Sequence, residues 1–90
     1  RESLTEDILV ALLVAQNYRC ALSGVEMTCT LQKGVRTWTN ASIDRINAGG
    51  PYEPGNIQLT CHAINLFRRE LPVGEFVEWC KLVSKNNGGV

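Results

Sequence analysis

Apolar residues run unbroken from Ile8 to Ala15, just after the tetrapeptide Ser3-Leu4-Thr5-Glu6. Ser-x-x-Glu ahead of an apolar run is a capping box, in which the Ser hydroxyl and the Glu carboxylate satisfy free amides of a first helical turn. The pattern predicts a first helix over about residues 5 to 17. The run is far shorter than the roughly 20 residues of a membrane-spanning helix and lacks a basic leader, so it reads as a buried helix. Residues 18 to 24 read as a turn broken at Ser23-Gly24. Between residues 25 and 46 Thr, Val, Ile and Trp are frequent and Lys33-Gly34 interrupts them, which predicts short strands joined by a turn, residues 42 to 46 being the last.

Residues 47 to 55 are all turn chemistry, and residues 56 to 60 alternate polar and apolar. Two strands flanking one loop make a hairpin. Residues 61 to 70 follow at once, and at 100° per residue Ala63, Ile64, Phe67 and Leu71 share one side while His62, Asn65 and Arg69 share the other. A third helix is expected over about residues 72 to 86, opened by Pro72, striped by Phe76, Val77, Cys80 and Val83, and stopped by the Asn-Asn-Gly-Gly segment.

Ninety residues make a single domain, one that buries roughly 60 to 65 % of its surface. With 44 % hydrophobic and 20 % charged residues, disorder is not expected. The pattern is α+β: a hairpin plus helix, flanked by an N-terminal and a C-terminal helix. A net charge of zero argues against a polycation that holds nucleic acid by bulk charge. The distribution is uneven, because Glu2, Glu6 and Asp7 open the chain whereas Lys33, Arg36, Arg45, Arg68 and Arg69 fall in its middle among only Asp44, Glu53 and Glu70. That leaves room for a local basic face. Cys20, Cys29, Cys61 and Cys80 form no Cys-x-x-Cys pair and there is one histidine, so structural zinc is disfavoured. Four reduced thiols are expected rather than two disulfides, consistent with a cytoplasmic setting.

The segment that carries chemistry is Ser42-Ile43-Asp44-Arg45-Ile46, a Gly/Pro loop, Asn56-Ile57-Gln58-Leu59, and Asn65 nine residues after Asn56. Over about residues 42 to 70 this resembles the HNH endonuclease family. That family's pattern has an Asp-His pair ending the first strand, an Asn opening the second, and a His or Asn nine residues later on a helix. Cys20-Ala-Leu-Ser-Gly24 looks, more weakly, like the zinc-knuckle turn of many members, here without its second Cys. The resemblance implies a ββα-metal, treble-clef-like fold and a metal-dependent DNA endonuclease. By position it makes Asp44 and Asn65 metal ligands and Asn56 the residue that ties the loop and orients the catalytic group.

The chemistry is coherent on its own terms. Cleaving a phosphodiester needs a cation to neutralise charge on the phosphate and leaving oxygen, and an activated water in line. Asp44 offers an anionic oxygen and Asn65 a neutral one, with phosphate and water completing the shell, as Mg²⁺ or Mn²⁺ would require. Arg45 stands where the family's His would be the base. Arginine stays protonated and cannot fill that role, but it can clamp the scissile phosphate; Asp-Arg-Ile resembles a phage-like variant of the pattern. His62, three residues before Asn65 on one helix face, is the candidate base, with metal-bound hydroxide or a phosphate oxygen as the alternative.

Arg68 and Arg69 read either as a solvated helix edge or as contacts to the DNA backbone. Gly49-Gly50-Pro51 reads as turn geometry rather than a phosphate loop. Trp38 and Trp79 are expected in core or hairpin packing more than as base-stacking platforms. The leading expectation is a DNA endonuclease, DNA being preferred to RNA, with low intrinsic sequence specificity and with targeting supplied by a fused or partner domain. Two alternatives stay open: a catalytically silent HNH-like nucleic-acid-binding module, and a small interaction domain in which the three polar residues brace the loop.

Overall fold

A computed structural model describes residues 4–29 and 37–89. Its elements in chain order are α1 (Glu6–Ala15), β1 (Ala41–Arg45), a short 3-10 turn (Pro54–Asn56), β2 (Ile57–Cys61), α2 (His62–Arg68) and α3 (Val73–Asn86). The architecture is α+β, with one two-stranded antiparallel sheet among the described residues. Among the described residues no helix is long and apolar enough to cross a membrane.

Helix α1 is capped by Thr5, whose Oγ1 accepts from the Ile8 amide at 3.3 Å, and Glu6 and Asp7 complement the positive end of its dipole. Ser3, the expected cap, lies outside the described residues. The helix ends before residue 17 because Asn17 and Tyr18 take left-handed φ values of 57° and 60°; Asn is among the few side chains that tolerate that region. The expected burial of α1 is not observed. Leu9, Leu12 and Leu13 pack against the core, while Val10 and Val14 face outward. An apolar run has a hydrophobic surface all round, but a domain this small has a core on one side of it only.

After α1 the chain turns around Cys20. The Ser23 amide donates to Cys20 Sγ at 3.3 Å, the Gly24 amide to the Cys20 carbonyl at 2.9 Å, and Ser23 Oγ lies 3.9 Å from Cys61 Sγ. Gly24 sits at φ 75°, a conformation that suits glycine in a turn this tight. Burial raises the Cys20 thiol pKa, but hydrogen bonds from the Ser23 side chain and from the amides of Ser23, Cys61 and Leu22 outweigh it and leave the thiol below its ordinary value. Residues 25–29 contribute only isolated bridges, Arg19 with Glu26 and Thr28 with Asn40. The expected Lys33-Gly34 turn and Arg36 lie outside the described residues.

In the sheet Ala41 faces Cys61, Ile43 faces Leu59 and Arg45 faces Ile57, so these pairs share one face. Leu59, Cys61, Cys20 and Met27 form the core on that side, joined by Ala41, Ile43 and α1's leucines. Ser42 with Thr60 and Asp44 with Gln58 make the other face, which α2 covers. Gln16, just beyond α1, fixes the helix to β2: its Oε1 accepts from the Leu59 amide at 2.9 Å and its Nε2 donates to the Leu59 carbonyl at 2.8 Å.

Helix α2 is rotated from its expected orientation. Ala63 and Ile64 pack against the core, but Phe67 is 61 % exposed and Arg68 is only 1 % exposed. An inward guanidinium wins over an inward phenyl ring because a buried carboxylate waits for it. Pro72 is the N-cap of α3 rather than its first residue, and of that helix only Phe76 is buried.

Candidate functional site

Asp44 on β1 is 3 % exposed and faces Arg68 of α2. Arg68 Nη1 donates to Asp44 Oδ1 at 2.6 Å, to Oδ2 at 2.7 Å and to the Arg45 carbonyl at 2.9 Å. Its Nη2 donates to the Ile46 carbonyl and its Nε to the Leu71 carbonyl, at 2.9 and 2.8 Å. Gln58, directly opposite Asp44 in the hairpin, donates to Oδ2 at 2.9 Å. Both charges are therefore paired and hydrogen-bonded, the condition under which burial is tolerated. Arg68, expected at the DNA backbone, points into the protein and has its nitrogens engaged there.

Asn56 clamps the loop between the strands. Its Oδ1 accepts from the Asn47 amide and its Nδ2 donates to the carbonyls of Asn47 and Pro51, all at 3.0 Å. Asn47 Oδ1 in turn accepts from the Gly49 amide. The side chain of Asn56, just before the start of β2, thereby bonds across the loop to Asn47 and Pro51. A Cβ at Gly50 would stand 2.7 Å from Asn56 Nδ2, so the clamp needs glycine there. Arg45 does not join Asn65. It lies on the other face of the hairpin from Asp44, donates to the Gly50 carbonyl at 3.1 Å and sits 4.6 Å over the Tyr52 ring.

The open surface of α2 carries the remaining polar residues. Ser42, His62, Asn65, Leu66, Arg69 and Glu70 line a groove of about 390 Å³. Asn65 Nδ2 donates to Ser42 Oγ at 2.6 Å and to the Ile43 carbonyl at 3.3 Å, which fixes the amide at the groove wall. His62 stands against Trp38, the ring centroids 5.7 Å apart and 25° from parallel. Arg69 ends α2 at φ 53°, left-handed backbone that costs a non-glycine residue energy, and its guanidinium belongs to the exposed side of the helix. Of the expected site residues, His62, Asn65 and Arg69 come together; Asp44, Arg45 and Arg68 do not join them there.

As a pair, Asp44 and Asn65 do not fit a divalent ion in this conformation. Asp44 is buried, both of its oxygens accept from a guanidinium, and a cation beside it would meet that positive charge. Sequence reasoning also missed Ser42, Gln58 and Gln16. Ser42 had a signal, since it alternates with Asp44 and so shares its face. Gln58 became legible only with the hairpin register, and for Gln16 no local pattern announces a side chain that pairs with the backbone of β2. Comparison with protein-family models, with curated proteins and with solved structures finds no match.

Proposed function

We propose that the chain binds nucleic acid along the α2 groove and hydrolyses a DNA phosphodiester there, as an endonuclease with low intrinsic sequence specificity. The observation that carries the reading is the convergence of His62, Asn65, Ser42 and Arg69 on one open groove beside a hairpin whose loop Asn56 clamps. Arg69 supplies positive charge to a phosphate, and the Asn65 and Ser42 side chains supply polar contacts that orient it. His62 takes the proton from the attacking water as its oxygen bonds to phosphorus; the P–O bond to the leaving oxygen breaks, and that oxygen is protonated from solvent or from the imidazolium. Asp44 serves the scaffold in this reading, and no step passes through a metal ion. The second reading, a silent nucleic-acid-binding module, is favoured by one observation: the carboxylate expected to hold the cation is engaged by Arg68.

Nicking of supercoiled plasmid separates the two, run with Mg²⁺, with Mn²⁺ and with a chelator. The expected result is nicking by the wild type that falls about 10²- to 10⁴-fold in His62→Ala. It also falls in Arg69→Gly, a variant that relieves the left-handed backbone and therefore folds at least as well. Nicking unchanged in both variants overturns the groove assignment, and salt-sensitive binding without nicking establishes the silent module.

A further inference from the structure

Helix α3 is anchored at its start and bare along the rest. Phe76 is its buried residue, and every residue from Val77 to Asn86 is exposed. The outer face of a surface helix is ordinarily polar. Here it is not: Trp79, expected in core or hairpin packing, is 55 % exposed, and Leu82 and Val83 are 56 and 61 % exposed. At about 100° per residue Trp79 falls between Leu82 and Val83 around the helix, and Glu75, one turn before Trp79, and Asn86, one turn after Leu82, continue the same stripe. A helical segment this short is marginal in water without tertiary packing, and Val, Trp, Ser and Asn are not strong helix formers. The stripe calls for a cover that the rest of the domain does not supply.

Charge along α3 identifies that cover. Its first half carries Glu75 and Glu78, and its second half Lys81 and Lys85. Glu78 and Lys85 lie two turns apart on the edge of the stripe next to Leu82. Glu78 is bridged to Lys81 of its own helix at 3.3 Å, whereas Lys85 makes no ion pair among the described residues.

We propose that α3 is a homodimerisation helix that packs in antiparallel order on α3 of a second copy of this chain, about a two-fold axis close to Cys80 and Lys81. Under that axis the contact is isologous, each copy offering the same patch to the other. Trp79 then meets Leu82 and Val83 of the second copy, which covers the stripe on both sides and puts at its centre the residue type most often found at the energetic centre of an interface. In an antiparallel pair the same edge of each helix meets the other in reverse, so Glu78 of each copy comes within reach of Lys85 of the other. A parallel pair would bring like charges together, which is destabilising. The halves of α3 are thus complementary to themselves only when the second helix runs the other way. None of the residues that line the α2 groove belongs to α3, so pairing leaves the groove open and the inference stands apart from the function proposed for it. One helix pair buries less than about 1,200 Å², the small end of specific interfaces, and a micromolar dissociation constant is expected.

Sedimentation equilibrium across the micromolar range tests this, at low ionic strength so that surface charge is not screened. Reducing conditions keep the exposed Cys29 and Cys80 from linking copies covalently. The expected result is a reversible monomer–dimer equilibrium. Leu82→Ser, at an exposed position where the fold of the monomer is not at stake, shifts it to monomer. Glu78→Lys and Lys85→Glu, each made alone, set like charges across the two-fold and weaken self-association about 5- to 100-fold. An equimolar mixture of these two variants returns to the wild-type range, because one copy is then basic at both positions and the other acidic at both. A monomer at every concentration overturns the proposal and leaves the stripe to a different partner. Dimers indifferent to Leu82→Ser overturn it by placing the contact on another face, and a mixture no tighter than its components overturns the antiparallel pairing.

Discussion

At the scale of single residues the chain turns on two adjacent arginines. Arg68 is the last residue of α2 and Arg69 its C-cap at φ 53°, and across that break one guanidinium lies on a buried carboxylate while the next residue is exposed. In sequence the two are indistinguishable cations, and Asp44 could have been a ligand, a cap or an ion-pair partner. What decides is burial: Ser42 and Asp44 face α2, and an unpaired carboxylate there would be too costly to keep. The Asp44–Arg68 pair should therefore behave as a unit. Arg68→Met leaves Asp44 buried without its partner and should cost about 3–5 kcal/mol. In the double variant Asp44→Leu/Arg68→Met most of that loss should return. Urea unfolding of the two single variants and the double variant measures the coupling, and additive losses would show that the pair is not what holds α2 to β1.

Elements were more legible than residues. The hairpin, its following helix and the third helix were all expected from period and turn chemistry, with ends displaced by one or two residues, because alternation and 3.6-residue repeats survive in a small domain. The orientation of α2 and the half-buried state of α1 were not legible, since a hydrophobic pattern gives a face but not the identity of what covers it. The loop between β1 and β2 sits between these cases. Its turn composition announced a bend, and the HNH resemblance marked Asn56, yet the need for glycine at position 50 emerges only when the Asn56 amide is seen passing beneath it. Gly50→Ala should push that amide out of its contacts with Asn47 and Pro51 and cost about 1–3 kcal/mol. The sensitive readout is hydrogen exchange at the Asn47 amide, which donates to Asn56 Oδ1. Unchanged protection there would mean that the loop is held by its backbone alone.

Over the whole molecule, the core is small. Cys20, Met27, Leu59 and Cys61 are its buried centre, and much apolar surface on α1 and α3 stays exposed, including Val10, Val14, Trp79, Leu82 and Val83. Stability concentrated in so few residues is sensitive to the ionisation of any one of them, and among the described residues Cys20 is a group whose titration folding displaces downward. The sign follows from linkage. A thiol whose value is lower in the folded state binds fewer protons there than in the unfolded chain, so stability rises with pH between the lowered value and the ordinary one near 9. The contribution is complete above the ordinary value and disappears as pH falls through the folded one. Urea midpoints measured under reducing conditions from pH 6.5 to 9.5 should therefore climb for the wild type relative to Cys20→Ala. The same Cys20→Ala variant should lose stability at every pH, because it also removes a buried side chain from the core beside Met27, Leu59 and Cys61. Parallel pH profiles for the two proteins would mean that Cys20 stays a neutral thiol throughout, held by packing rather than by the hydrogen bond from the Ser23 amide to its sulfur.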